Sequence, residues 1–414
     1  MLLVVSPDTL LKSLTPSFKV NLIFINMMRR CFSVLKGKAT PEGTEFFTRK
    51  NPKVREWHWK LTSSYLSISS FGIGTYIGAP DEETDQQVYN AVVESVSSGV
   101  VNVVDTAINY RYQKAERSVG KALQTLAEQN ITRDQVFLAS KIGYIPEDAD
   151  KGLTGKAIIK ELEEKGEIKS EDIVGGVHCM HPNFLKDQLK RSLENLQVET
   201  LDLLYLHNAA ESQMPALGEA EFWKRLEKVF EFMEEARSQN QIVDYGMATW
   251  ICFRSPSSEQ NIHLSLEKVV ELAEKVGGKD HGMKYVQLPI NLMMPEAFVQ
   301  PWQSYKGKDE IFLNVAKDLG INVVTSSPLL QSKILELKLS KSMLGVETQA
   351  VKHLQLIRSI PSSSIKSVLV GMKNPRNVTM NLQLGRIDPL EKEDFWNVLK
   401  PEGKEHLPIS IDLW

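Results

Sequence analysis

The sequence predicts an α/β chain folded as a (β/α)8 barrel, or TIM barrel, with an N-terminal extension and long loops at one face. Three observations predict it. Eight near-continuous apolar runs recur, helical patterns lie between them, and several runs end on a polar group. Strands buried on both faces read as such runs and belong to parallel sheets. Eight of them alternating with helices is the count of a closed barrel.

The runs, in order, are SISSFGIGTY (Ser67–Tyr76), VVNVVDTA (Val100–Ala107), VFLASK (Val136–Lys141) and LDLLYLH (Leu201–His207). IVDYGMATW (Ile242–Trp250), YVQLPIN (Tyr285–Asn291), INVVTSS (Ile321–Ser327) and SVLVGM (Ser367–Met372) complete the set. Between the first two, Val88, Ala91, Val92 and Val96 stand at helical spacing, and Gly99 reads as the stop. The next helix carries Val119, Leu123 and Leu126 on one face. The one after carries Leu185, Leu189, Leu193 and Leu196, with Asn183 as its expected N-cap. Further helical patterns follow each later run, and Gly277 and Gly320 read as C-terminal caps. A doubly wound open sheet is the runner-up, but no GxGxxG joins a first strand to its helix. Two connections, Ile142–Cys179 and Leu329–Leu344, are long and leave the strand ends on which barrels build their sites.

The totals exclude several classes. The chain has 414 residues, 42% of them hydrophobic, with 49 basic against 52 acidic residues and a net charge of -3. That balance argues against a nucleic-acid binder and against a membrane-surface role. VNLIFIN (Val20–Asn26) is shorter than the roughly 20 apolar residues a membrane span needs. Cys31, Cys179 and Cys252 are odd in number and far apart, so no disulfide framework is expected. Cys179 lies between His178 and His181, but no second ligand cluster accompanies them, and no metal is expected. Between Met1 and Pro41 only Asp8 is acidic, against six basic residues, a composition that reads as an organellar transit peptide. The expected location is mitochondrial, with a cytoplasmic chain as the alternative. The expected organisation is an extension over 1–49 and one barrel over 50–414.

The strand ends carry the chemistry. The second run ends on Asp105, the third on Lys141 and the fourth on His207, and Tyr110 lies just beyond Asp105. In a barrel these ends converge. A Lys ammonium beside a phenol lowers the phenol's pKa, a buried Asp keeps the ammonium charged, and an imidazole polarises a substrate oxygen. Such a group delivers a proton to an oxygen gaining charge, as when a carbonyl accepts hydride. No side chain donates hydride, so a nicotinamide cofactor is implied.

VVDTAINYRYQKAERSVGKAL, LASK, DQLKRSLENLQVETLDLLYLHN, GIGTY and SVLVGMKNPRNVTMNL resemble the aldo-keto reductase family in order and spacing, over roughly Leu61 to Leu384. The resemblance implies a barrel binding NADP(H), with Asp105, Tyr110, Lys141 and His207 as the catalytic set and Tyr110 as proton donor. It implies cofactor contacts from Gly74, Thr75, Tyr76, Asp105, Thr249, Gln287 and Ser326. At the phosphate end it implies Gly371, Met372, Lys373, Arg376, Asn377 and Asn381. The family's Ser-Asn pair reads Ala248-Thr249 here, Ser326 stands where an aromatic often stacks, and Met380 replaces an acidic residue. The implied partner is a small carbonyl or alcohol substrate (aldehyde, ketone or sugar), and the family's habit implies a monomer. Two other readings are an NADP-binding barrel acting as a redox sensor with little turnover, and a barrel aldolase with Lys141 as Schiff base. The pairing of Lys141 with Tyr110 and Asp105 argues against the aldolase.

Overall fold

The computed structural model describes residues 34–400, apart from 260 and 340–344. The chain divides into Met1–Leu35 and a compact unit, Lys36–Trp414. The basic stretch read as a transit peptide lies mostly outside the described residues.

Eight strands close into a parallel barrel: β1 (Phe71–Gly74), β2 (Val103–Asp105), β3 (Phe137–Ile142), β4 (Leu201–His207), β5 (Ile242–Ala248), β6 (Met283–Pro289), β7 (Asn322–Ser326) and β8 (Ile365–Gly371). Each pairs with its neighbours in sequence, and β8 closes on β1 through Val368–Gly371 against Phe71–Gly74. Helices α1 (Glu82–Ser97), α2 (Lys114–Glu128), α3 (Pro182–Leu196), α4 (Glu219–Ser238), α5 (Leu266–Gly277), α6 (Phe312–Asp318), α7 (Gln349–Arg358) and α8 (Pro375–Asn381) follow the strands.

The helix ends obey local chemistry. Asp81 caps α1 by accepting from Thr84 N at 2.8 Å, and Glu82, Glu83 and Asp85 lie in its positive first turn. Gly99, at φ +69°, stops it as expected. The start of α3 differs from expectation: Pro182 is its first residue and His181, not Asn183, is the cap, its Nδ1 accepting from Asn183 N. Gly277 is the last residue of α5, and Gly278 takes the left-handed position, at φ +72°.

The first apolar run is not one strand. It breaks at Ser70: Ser67–Ser69 pairs antiparallel with Trp59–Leu61, and only Phe71–Gly74 enters the barrel. This hairpin contributes Leu66 and Ile68 to the cluster that fills the barrel, with Phe137, Leu203, Tyr205, Tyr285 and Val324.

The last part of the expected extension is also part of the barrel unit. Thr40 caps a helix over Pro41–Thr48, Phe47 is fully buried, and its ring meets Trp59 edge-on at 5.9 Å. Ala39 N donates to Asp202 Oδ1 at 2.7 Å, on a carboxylate that also pairs with Arg133. Basic composition over Lys36 and Lys38 hides this, because two buried residues, Ala39 and Phe47, carry the attachment.

Candidate active site

The C-terminal ends of the strands enclose a cavity of about 430 Å³. Asp105 ends β2 and His207 ends β4, so both reach its wall. Lys141 stands one residue before the end of β3 and is fully buried, beneath the cavity. Tyr110 lines the cavity from the loop after β2. Of the expected cofactor contacts, Gly74, Thr75, Tyr76, Thr249, Gln287, Ser326 and Gly371 line the same cavity.

The charged pair is held on all sides. Lys141 Nζ donates to Asp105 Oδ1, and to Thr106 O at 2.8 Å. Gln287 Nε2 donates to Asp105 Oδ2 at 2.9 Å. Burial pushes the Asp105 carboxyl up and the Lys141 amine down, and their contact opposes both shifts. Every recorded partner suits the ionised forms: a carbonyl faces the ammonium and an amide N–H faces the carboxylate.

Tyr110 corrects one expectation. Its ring centroid is 4.9 Å from Lys141 Nζ, yet burial, followed by the Asp105 charge, holds the phenol well above its ordinary range. Asp105 already engages the ammonium, which leaves Tyr110 a neutral acid. Burial first, then the Lys141 and His178 charges, push His207 well below its ordinary range, and its imidazole is neutral.

The turn that carries Tyr110 is unusual. Arg111, Tyr112 and Gln113 all have positive φ, at 47°, 56° and 70°. Non-glycine residues pay of order 1 kcal/mol each for this region. The turn is anchored by buried Arg111, whose Nη1 donates to Asp85 Oδ1 at 2.5 Å. Gln113 Nε2 donates to Glu147 O at 3.0 Å, and Asn195 donates to Gln113 Oε1 at 3.1 Å.

Tyr144 was not anticipated. Tyr144 lies three residues after Lys141, lines the cavity, and sets its ring edge-on to His207 at 5.1 Å. Asn208 Nδ2 donates to its hydroxyl at 3.2 Å. His178 Nε2 donates to His207 O at 2.8 Å, and its Nδ1 receives Gln213 at 3.0 Å. Both ring nitrogens of His178 are thereby used, and among the described residues no group of three His, Cys, Asp or Glu gathers as metal ligands. The only local sequence signal for Tyr144 was its adjacency to Lys141.

The remaining cofactor candidates are not in the cavity. Met372 is buried, and Asn381 is buried in the last turn of α8. Lys373, Arg376 and Asn377 lie beyond Gly371, with Arg376 and Asn377 exposed. Asn374, not one of the expected residues, caps α8 by accepting from Arg376 N at 2.9 Å. A Cβ built on Gly78, in the loop after β1, would lie 3.4 Å from Lys373 Nζ.

Comparison with known proteins agrees with this architecture. Residues 70–355 match the aldo/keto reductase family model, which stops short of Gly371. An NADH-specific methylglyoxal reductase of Escherichia coli (strain K12) is 24% identical over 152 residues, 36% of this chain. The chain spans only 40% of that relative's length. Two solved structures share the fold. A holo aldo-keto reductase from Bacillus halodurans superposes with a TM-score of 0.53 at 18% identity, covering 82% of this chain and 94% of that one. A Klebsiella pneumoniae aldo/keto reductase in complex with NADP and acetate gives 0.52 at 17% identity, covering 84% and 98%. The chain belongs to the aldo/keto reductase family.

Proposed function

We propose that the protein is an NADP(H)-dependent oxidoreductase acting on a carbonyl or alcohol substrate (an aldehyde, ketone or sugar), with Tyr110 as the proton donor. The carrying observation is the convergence of Tyr110, His207 and Asp105 on one cavity above buried Lys141. Family membership supports the reaction class.

The lining fits a dinucleotide. Gly74 and Gly371 are register partners on adjacent strands, and a Cβ on either would meet nothing closer than 3.9 Å. Bare backbone therefore borders the cavity there, where a flat group lies close to the strands. Thr249 and Gln287 offer polar groups on the opposite side. Lys373 and Arg376 make no ion pair among the described residues and suit phosphates, which favours NADP over NAD. A structural neighbour crystallised with NADP supports NADP(H) binding.

Bound NADP(H) supplies or accepts the hydride. In the reducing direction the substrate carbonyl oxygen lies between Tyr110 and His207, whose rings stand 5.9 Å apart. Neutral His207 directs an N–H at that oxygen. Tyr110 Oη gives its proton as negative charge builds on the oxygen. Lys141 stabilises the phenolate left behind, and Asp105, held by Gln287, keeps Lys141 charged and in place. In the oxidising direction the phenolate takes the proton back.

The proposal extends to a mitochondrial location, on the basic composition of the first 41 residues, and to a monomer. The catalytic part is tested by incubating the protein with NADPH deuterated at the transferring position and a panel of aldehydes. Deuterium on the carbinol carbon of a product supports hydride transfer. Tight NADPH binding with no labelled product across aldehydes, ketones and sugars contradicts it.

A further inference from the structure

Trp250 follows Thr249 at the mouth of β5, lines the cavity and leaves 43% of its surface exposed. Exposed indoles usually move, but the Trp250 peptide is fixed at both ends. On its amide side, Glu211 Oε1 accepts from three successive backbone N–H groups: Trp250 and Ile251 at 2.8 Å and Cys252 at 3.1 Å. Three convergent N–H groups form an anion-binding nest, and here the anion is a side chain from the short helix after β4. On its carbonyl side, Arg254 donates to Trp250 O from Nε at 3.0 Å and from Nη2 at 2.8 Å. Arg254 is buried and is itself held by Glu296 at 2.5 Å. Burial and the Glu211 carboxylate push the Cys252 thiol well up, so the turn contains no competing anion.

We propose that Glu211 and Arg254 form a charged clamp that positions Trp250 as a rigid aromatic wall for the substrate. Glu211 stands in the first turn of the helix over Ala209–Leu217, three residues past Asn208. The clamp therefore ties the helix that follows His207 to the loop bearing the wall. Charge-assisted hydrogen bonds at both peptide ends lower the cost of ordering the indole when a ligand arrives. Among the described residues the Trp250 ring stacks on no other ring, so its face is open to a flat or C–H-rich substrate group. Selectivity for carbonyls bearing such a group follows.

This inference rests on the oxidoreductase reading. It is tested with NADPH and two aldehydes, benzaldehyde and acetaldehyde. Trp250→Ala is expected to raise KM for benzaldehyde about tenfold, with little change for acetaldehyde, the loss appearing in KM rather than kcat. Glu211→Ala, which alters no cavity residue, is expected to reproduce that loss. Glu211→Gln keeps an oxygen for the three N–H groups and is expected to retain wild-type selectivity. A second readout needs no turnover: the near-UV circular dichroism band lost in Trp250→Phe should also be lost in Glu211→Ala and kept in Glu211→Gln. A wild type that binds no NADPH overturns the oxidoreductase reading and this one together. A wild type that turns over, with Trp250→Ala unchanged on both aldehydes, overturns the wall alone. An intact Trp250 band in Glu211→Ala overturns the clamp.

Discussion

The side-chain amide of Gln287 donates to Oδ2 of Asp105 at 2.9 Å while Lys141 takes Oδ1, so one buried carboxylate is bound from two strands. Removing the cation leaves that carboxylate uncompensated. Lys141→Met is predicted to abolish turnover and to destabilise the fold by about 3–5 kcal/mol. The double variant Asp105→Asn/Lys141→Met, which removes both charges, is predicted to recover most of the stability and none of the activity. Urea denaturation checks this, and equal stability of the single and double variants would refute the buried-pair account.

Arg111 and Asp85 hold the left-handed turn that follows Tyr110. Asp85→Asn keeps the shape but weakens the grip on the guanidinium. The expected result is roughly a tenfold loss of kcat, because small displacements of a reacting group are costly. NADPH affinity should be unchanged. Full kcat in this variant would show that the turn keeps its shape without the ion pair.

Acid stability should reflect the buried histidines, His58 and His178 among them. Burial lowers His58 to about 3 and His178 to about 4. Below pH ~6.5 the unfolded chain takes up protons that the folded chain refuses, so stability falls as pH drops from 6.5 toward 4. Each histidine contributes a slope of up to about 1.4 kcal/mol per pH unit there. Buried acids such as Glu116, which burial raises, work in the opposite direction, so the comparison is of slopes. Between pH 6.5 and 5, His58→Gln should show a slope shallower by about one histidine's share. An unchanged slope would contradict the assignment.

The two cations beyond β8, Lys373 and Arg376, should set cofactor choice. Arg376→Ala is predicted to weaken NADPH by about 10- to 100-fold, the usual worth of a charged hydrogen bond. NADH should be nearly unaffected. Parallel titrations with both cofactors measure this, and an unchanged ratio removes Arg376 from the 2′-phosphate.

The barrel was legible because parallel strands buried on both faces leave continuous apolar runs, and the runs ending on Asp105 and His207 matched strand ends. The split at Ser70 was not legible, since Ser67–Ser69 and Phe71–Gly74 both read as extended chain and only the pairing partner separates them. The Pro41–Thr48 helix was hidden by basic neighbours, with one large buried side chain, Phe47, tying it to the hairpin. Within the site, residue types and order were readable. The Tyr110 phenol was not, because its protonation depends on burial and on how fully Asp105 neutralises Lys141. The Glu211 clamp joins residues about 40 apart through backbone N–H groups, and backbone donors leave no mark in a sequence.

The central claim is that Tyr110 is the acid of an NADPH-dependent carbonyl reduction, and the most direct measurement compares wild type with Tyr110→Phe in NADPH titration and single-turnover oxidation. The prediction is equal NADPH affinity and a rate lower by roughly 10²–10⁴-fold in the variant, the usual worth of a general acid. Equal rates would contradict the claim, as would a wild type that binds no NADPH.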